Sequence, residues 1–523
     1  MSSSVLIFAC SDDMLRCLSD NIRCQRLLYK LCLVNHRFNT EFSNCLYRHV
    51  HIRSDRELKG LLGNPHLTRI RRLTITPGGQ HWSIANAVNE LVQQLLVETR
   101  NLEAFRWIVM ALATRTVQLL QQSSKKLKSL HVEYPEAIEE SLLGFALADE
   151  EDQDDNESQE ARRLFRVQDF SAFANLEEVT FNNIYDDLFE WRRMLVKILK
   201  SSPRLRKLGL SISNETIARA YHHDNSESYI DFFDNLCDEY GASGAPPLQL
   251  QILRCGYAMY PQNVASFQKL TDLSHLEVVH VENACLQREM VYLFLYEEDE
   301  NSGIVFDTFL SPACCNLRRF TAYQLRGDVF KALCHNTDAN WTRQLAISFE
   351  NPEAGDYEMA QILTPHREYS GLPLQVRMMD LDLKGSDEDE TLDILDNLVS
   401  ANSENLEGLA VHLPRHPTRN DSFGHMDLLQ DVAQKLPNLT QIVINLQSTS
   451  PGRDNIPDQL HKIEAEKMAN AVPQLQFICI CRNFWRICRR LNGEGKMLVI
   501  LESLDEWERE DVELFQHTIF KVW

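Results

Sequence analysis

A short phrase recurs along this chain: a turn flanked by Asn, His or Pro, then Leu-x-x-Leu-x-Leu. It appears at Leu176-Glu-Glu-Val179-Thr-Phe181, Leu205-Arg-Lys-Leu208-Gly-Leu210 and Leu276-Glu-Val-Val279-His-Val281. It returns at Leu406-Glu-Gly-Leu409-Ala-Val411, Leu439-Thr-Gln-Ile442-Val-Ile444 and Leu475-Gln-Phe-Ile478-Cys-Ile480. Thirteen such hexapeptides run from Leu67 to Leu475, the one opening at Thr342 being a poor match read from Leu345 and Ile347. Repetition over tens of residues is the mark of stacked structural units, each unable to bury its apolar face alone. The expected fold is therefore α/β, a leucine-rich-repeat solenoid with a curved parallel sheet inside and helices outside. Such a scaffold offers one long surface and carries no chemistry of its own.

The intervals are irregular, from 25 residues (Leu102 to Leu127) to 49 (Leu127 to Leu176). Two features still mark a unit. Asn101, Asn175, Asn316, Asn405 and Asn438 directly precede the first apolar residue, and Pro203, Pro437 and Pro473 stand two before it. Both residue types end a helix and turn the chain. Between hexapeptides lie helical periods: Val88, Leu91, Leu95 and Leu96; Leu195, Ile198 and Leu199 after Trp191; Leu392, Leu395, Leu398 and Val399; Leu428, Leu429, Val432 and Leu436. Strand, turn, helix, turn makes parallel neighbours. Longer intervals imply insertions near 135–170, 214–246 and 286–312, the first carrying an acidic run from Asp149 to Glu157 and the second a Gly/Pro-rich stretch around 241–247. The stretch from Leu504 to Trp523 reads as a closing helix.

Net charge is −22 over 523 residues, which disfavours nucleic acid as a partner. No apolar run approaches the ~20 residues of a membrane span. The 14 cysteines contain no Cys-x-x-Cys pair, so reduced, packed thiols of an intracellular protein are expected, with no metal and no cofactor. No phosphate loop, nucleophile elbow or zinc-protease motif occurs, and Pro414 breaks the helix that would align His412 and His416. A non-catalytic protein is the expectation.

Residues 1–48 read differently, as amphipathic helices that run into the strand Tyr47-Arg-His-Val-His-Ile52. Leu27, Leu31, Val34 and Phe38 suit one helix face. As a solenoid's first element, this segment would cap the apolar stack. The run Leu31-Cys-Leu-Val-Asn-His-Arg-Phe38, followed by Leu46-Tyr-Arg-His-Val-His-Ile52, resembles the second half of the F-box in fungal F-box proteins, which commonly carry irregular leucine-rich repeats behind it. The resemblance covers about 25 residues tightly and implies a substrate receptor of a Skp–cullin–F-box ubiquitin ligase. The F-box would bind the Skp-family adaptor, and through it a cullin, while residues 49–523 hold a protein substrate. Leu31, Leu33, Val34 and Phe38 match the family's apolar positions. The Leu-Pro that usually opens an F-box is missing before residue 30, so either the start lies upstream of Met1 or the segment has diverged. The alternative is a repeat-based interaction scaffold with no ubiquitin role.

Strand side chains alternate, so residues between and just after the second and third apolar positions share the face opposite the core. At ~4.8 Å per strand, twelve intervals would give an arc of roughly 58 Å. Candidate substrate contacts are Asn182, Ser211, Glu282, Tyr323, His412 and Asn445, joined by Lys207, His280 and Arg319. Tyr323 and Arg319 rank first and Lys207 lower, by the residue preferences of interface hot spots.

Overall fold

Hexapeptide after hexapeptide forms a strand. The structure, a computed structural model, describes mainly residues 25–76, 82–108, 112–134, 169–213, 231–281, 313–322, 344–350, 376–382, 406–413, 424–446 and 458–504, with short breaks, and a few isolated residues such as Leu15, Arg509 and Val512. The chain divides into two compact units, one built on Met1–Leu276 and the other on Leu317–Trp523 with Glu277–Cys285. The N-terminal helices cluster with the first unit.

In the first unit the strands are β1 (His49–Ile52), β2 (Arg72–Ile75), β3 (Ala104–Ile108), β4 (Ser129–Glu133), β5 (Glu178–Ile184), β6 (Lys207–Ile212) and β7 (Ile252–Cys255). Each pairs in parallel with the next in sequence. The register aligns Leu73, Phe105, Leu130, Val179, Leu208 and Leu253, all at most 1% exposed. This row is the core, and each member removes about 1.5–3 kcal/mol of apolar surface from water. Two hexapeptides sit out of step with the expected register. The first begins at Ile70, not Leu67, because Leu73 pairs with Phe105; the one expected at Met378 begins at Val376, because Met379 pairs with Leu409. In both places neighbouring apolar residues offered more than one frame.

Two of the recurring asparagines bridge to the turn before the preceding strand. Asn101 Nδ2 donates to the Thr68 carbonyl at 2.9 Å, and Asn316 Nδ2 to the Ser274 carbonyl at 2.6 Å. Asn175 takes a left-handed φ of 59°, a conformation Asn tolerates better than most residues.

Helices α1 (Gln25–Cys32) and α2 (His36–Leu46) precede the sheet, α3 (Asp55–Leu61) follows β1, and α4 (Trp82–Glu98), α5 (Thr114–Ser123), α6 (Leu188–Ser201), α7 (Phe232–Ala242) and α8 (Val264–Leu270) link later strands. The faces expected on α4 and α6 are buried, with Val92 replacing Leu91 as the deeper residue on α4. Helix α7 corrects the expected insertion at 214–246: its second half is a helix burying Phe232, Phe233, Leu236, Cys237 and Tyr240. The Gly/Pro stretch beyond is its exit turn, with Gly244 at φ +71° and the Tyr240 hydroxyl donating to the Pro246 carbonyl at 2.7 Å. The expected helix through Leu392, the acidic run at 149–157 and the insertion near 286–312 lie outside the described residues.

In the second unit β8 (Val278–Val281), β9 (Arg319–Ala322), β10 (Gln344–Glu350), β11 (Val376–Asp382), β12 (Gly408–Leu413), β13 (Gln441–Leu446) and β14 (Phe477–Ile480) again pair in parallel and in sequence order. Helices α9 (Gly424–Gln434) and α10 (Asp458–Ala471) connect the last three. An antiparallel hairpin follows, β15 (Asn483–Leu491) and β16 (Met497–Ser503). A closing hairpin was not anticipated from the sequence; of the helix expected from Leu504 onward, most residues lie outside the described ones.

Candidate functional site

The face opposite the leucine core differs between the units. In the second, Ala410, Val443 and Cys479 carry it, and they form a buried cluster with Met378, Phe484, Leu504 and Val512. Arg509 adds a cation–π contact 4.1 Å from the centre of the Phe484 ring. This corrects the expectation of a binding face along the whole repeat: from β11 to β15 that face is a second core beneath residues of the C-terminal segment.

In the first unit the same face is polar. Its central row aligns Thr74, Arg106, His131, Thr180, Gly209 and Arg254. A Cβ at Gly209 would lie 2.9 Å from Thr180 Cγ2, so the glycine lets these two strands' side chains pack at that point. Two places later stand Glu133, Asn182 and Ser211, and two places earlier Arg72, Ser129, Glu178 and Lys207. His131 Nε2 lies 3.1 Å from Glu133 Oε2, which also accepts from Asn182 Nδ2 at 3.3 Å. Ser129 Oγ donates to Glu178 Oε2 at 3.0 Å, and Lys207 Nζ stands 3.9 Å from the same carboxylate. At β1, His51 Nε2 is 2.7 Å from Thr76 Oγ1. A carboxylate can only accept, so His131 donates through Nε2.

Burial pushes His131 down to about 4, the nearby Arg106 cation adding to it and Glu133 opposing. Burial would raise Glu133, but the His131 hydrogen bond, Arg106 and Asn182 outweigh it and hold its carboxyl below the usual range. The result is a neutral imidazole donating to a charged carboxylate, flanked by a guanidinium. This is a pre-set hydrogen-bonding surface. Among the described residues, no group of three or more His, Cys, Asp or Glu is arranged to hold a metal, and no helix is long and apolar enough to cross a membrane.

Of the nine residues expected to contact a substrate, the first unit brings together Asn182 and Lys207, both half-buried on this face. Ser211 is only 5% exposed, and its hydroxyl oxygen accepts from the Asn183 amide at 2.8 Å where β5 bulges against β6. His280 and His412 are buried at 5% and 3%, and Asn445 Nδ2 lies 3.3 Å from His412 Nδ1. Burial takes Ser211, His280 and His412 out of a contact surface. Glu282, Tyr323 and the side chain of Arg319 lie outside the described residues. Sequence reasoning missed Arg106, His131, Glu133 and Arg254, although all occupy the same hexapeptide offsets as the residues it chose.

The N-terminal helices form a second candidate site. Phe38 and Phe42 pack with ring centroids 5.3 Å apart, in a small core with Leu15, Leu28 and Cys32, and Leu31 at its edge. A single helix face through Leu27, Leu31, Val34 and Phe38 is corrected. Asn35 caps α2, accepting from the Phe38 amide at 2.9 Å, and so ends α1 before it. Leu33 and Val34 fall in the resulting turn and are 68% and 50% exposed, so they belong to no core. Leu27 and Tyr29 are exposed beside them in sequence at 44% and 56%. Arg69 donates to Ser43 Oγ, tying α2 to the turn before β2.

No protein-family model matches this chain, and no curated protein matches it.

Proposed function

We propose that the chain is the substrate-recognition subunit of a Skp–cullin–F-box ubiquitin ligase, built as an F-box-like helical hairpin on an irregular leucine-rich-repeat solenoid. The carrying observation is the turn between α1 and α2, where Leu33 and Val34 are exposed beside a buried cluster of Leu15, Leu28, Cys32, Phe38 and Phe42. Exposed apolar residues on an ordered turn suit a partner surface. Charge supports the same reading: residues 1–75 hold 12 Lys and Arg against 6 Asp and Glu, a net of +6, leaving −28 for the remainder. A basic head on an acidic body steers an acidic adaptor to one end. The repeat reading draws support from one strand per hexapeptide, parallel pairing in sequence order and the asparagine bridges.

The substrate would lie on the polar face of β2–β7, where Arg72, Arg106, Lys207 and Arg254 outnumber Glu133 and Glu178. An acidic segment of a client protein fits that balance. Catalysis would need no residue of this chain, since holding a client near a ubiquitin carrier raises its effective concentration.

The test is binding of the full chain to a purified Skp-family adaptor. Leu33→Asp with Val34→Asp should weaken it by at least about tenfold. Because both side chains are exposed, the melting temperature should stay within ~2 °C. A folded wild-type chain that ignores the adaptor leaves the scaffold without a ubiquitin role as the better description.

A further inference from the structure

Strand β16 ends the sheet of the second unit. It pairs with β15 through seven residues, Met497 to Ser503, and no other described strand pairs with it. Natural edge strands are blunted by proline, bulges or inward charges, since a bare apolar edge recruits another strand. Met497-Leu-Val-Ile-Leu501 has none of these within it, and Met497, Leu498 and Ile500 are 51%, 45% and 38% exposed. Leu491, opposite Met497 on β15, is 68% exposed.

We propose that β16 is the self-association edge of this protein, pairing antiparallel with β16 of a second copy about a twofold axis through Val499. The sequence Lys496-Met-Leu-Val-Ile-Leu-Glu502 carries the choice of occupant, because its charges are self-complementary. With Val499 on the axis, Lys496 lies opposite Glu502 of the second copy, Met497 opposite Leu501, and Leu498 opposite Ile500. Directly opposed residues of an antiparallel pair project from the same face. One face of the joint therefore gathers Leu498 and Ile500 from both copies between two Lys–Glu pairs. The other gathers Met497, Val499 and Leu501. Shifting the axis to Ile500 would set Leu498 against Glu502 and Met497 against Ser503, losing both ion pairs. Glu502 already lies 3.9 Å from Arg490 on β15, so the new lysine would be a second cation beside it. A twofold axis makes the contact closed and limits it to a dimer.

The joint is small, so the dimer is weak. Sedimentation of the full-length chain should give a monomer–dimer equilibrium with a Kd of about 1–100 µM. Ile500→Lys should weaken it at least ~10-fold. Lys496→Glu and Glu502→Lys should each weaken it, and the two together should recover association to within about threefold of the natural chain. The melting temperature of each variant establishes that it folds. A chain that stays monomeric at ~200 µM overturns the proposal and leaves the edge to a strand from another protein. Dimerisation that survives Ile500→Lys, or a double variant no better than either single one, also overturns it.

Discussion

His131 sits where two opposing demands meet. Its ring gives a hydrogen bond to Glu133, which favours a charged imidazolium, yet burial and Arg106 win and bring it to about 4. Its ordinary value is 6.5, so between the two values the unfolded chain takes up a proton that the folded chain refuses. Stability is therefore full above pH 6.5 and falls as pH drops towards 4. His49 acts in the same direction, brought to about 4 by burial and then by Arg72 and Arg48. Glu133, held below its usual range, adds a loss at still lower pH, as its carboxylate is protonated. The prediction concerns His131 alone. Comparing pH 7 with pH 4.5, the natural chain should lose roughly 2–3 kcal/mol more than His131→Gln, from denaturant unfolding at each pH. Equal losses would mean that the ring titrates normally and that the polar face is wetter than its packing suggests. The row holding His131 was legible in the sequence, since it lies one place past Leu130 and Leu130 is the second apolar position of its hexapeptide. What the sequence withheld was which residues at these offsets stay accessible. Thr180 and Ser211 occupy neighbouring offsets and are buried, while Arg106 and Lys207 reach solvent on longer side chains.

At the level of elements, α7 and α8 are drawn together at Gly241. A Cβ there would meet Lys269 Cβ at 2.8 Å, an atom fixed close to the α8 backbone. Gly241→Ala therefore sets two effects against each other. Alanine gains up to ~1 kcal/mol of helix propensity, less in a last turn, while overpacking costs about 1–3 kcal/mol. The clash should win, with a net loss of about 1 kcal/mol in denaturant unfolding; a gain would mean that α7 and α8 separate freely. The same helix shows why part of the fold was hard to read. Phe232, Phe233, Leu236, Cys237 and Tyr240 keep a helical period, but Asp234, Asp238 and Glu239 between them and Gly241 after them give the stretch the look of a solvated insertion. The strands were easier, because each carries two or three consecutive alternate apolar residues after a turn. Register was harder where Leu67, Ile70 and Leu73 offered overlapping frames. The terminal hairpin was announced by Asn492-Gly493, a strong turn signal between two apolar runs, and was overlooked in favour of helical spacing further on. The apolar offsets Ala410, Val443 and Cys479 were likewise visible, whereas their cover by Leu504 and Val512 depends on a tertiary return of the chain that no local pattern encodes.

Among the described residues, each parallel strand within a unit pairs with its neighbours in sequence, and each unit has its own buried row of aliphatic side chains. Under the proposed repeat reading, stability is then a sum of local terms with nearest-neighbour coupling, not one cooperative block. Leu208 tests this, being fully buried between Val179 and Leu253. Leu208→Ala should cost about 2–5 kcal/mol locally. Hydrogen exchange measured by mass spectrometry should rise in β5, β6 and β7, and stay unchanged in β12, β13 and β14. A uniform rise through both regions would place the whole chain in one folding unit, and a single two-state unfolding energy would then describe it. The expected outcome bears on function as well as stability. If loosening stays local, the polar face of β2–β7 can adjust to the proposed client while the apolar stack of β11–β15 keeps its packing. Under the proposed function, the division between a polar face in one unit and a second core in the other is then a division between the part that binds and the part that holds.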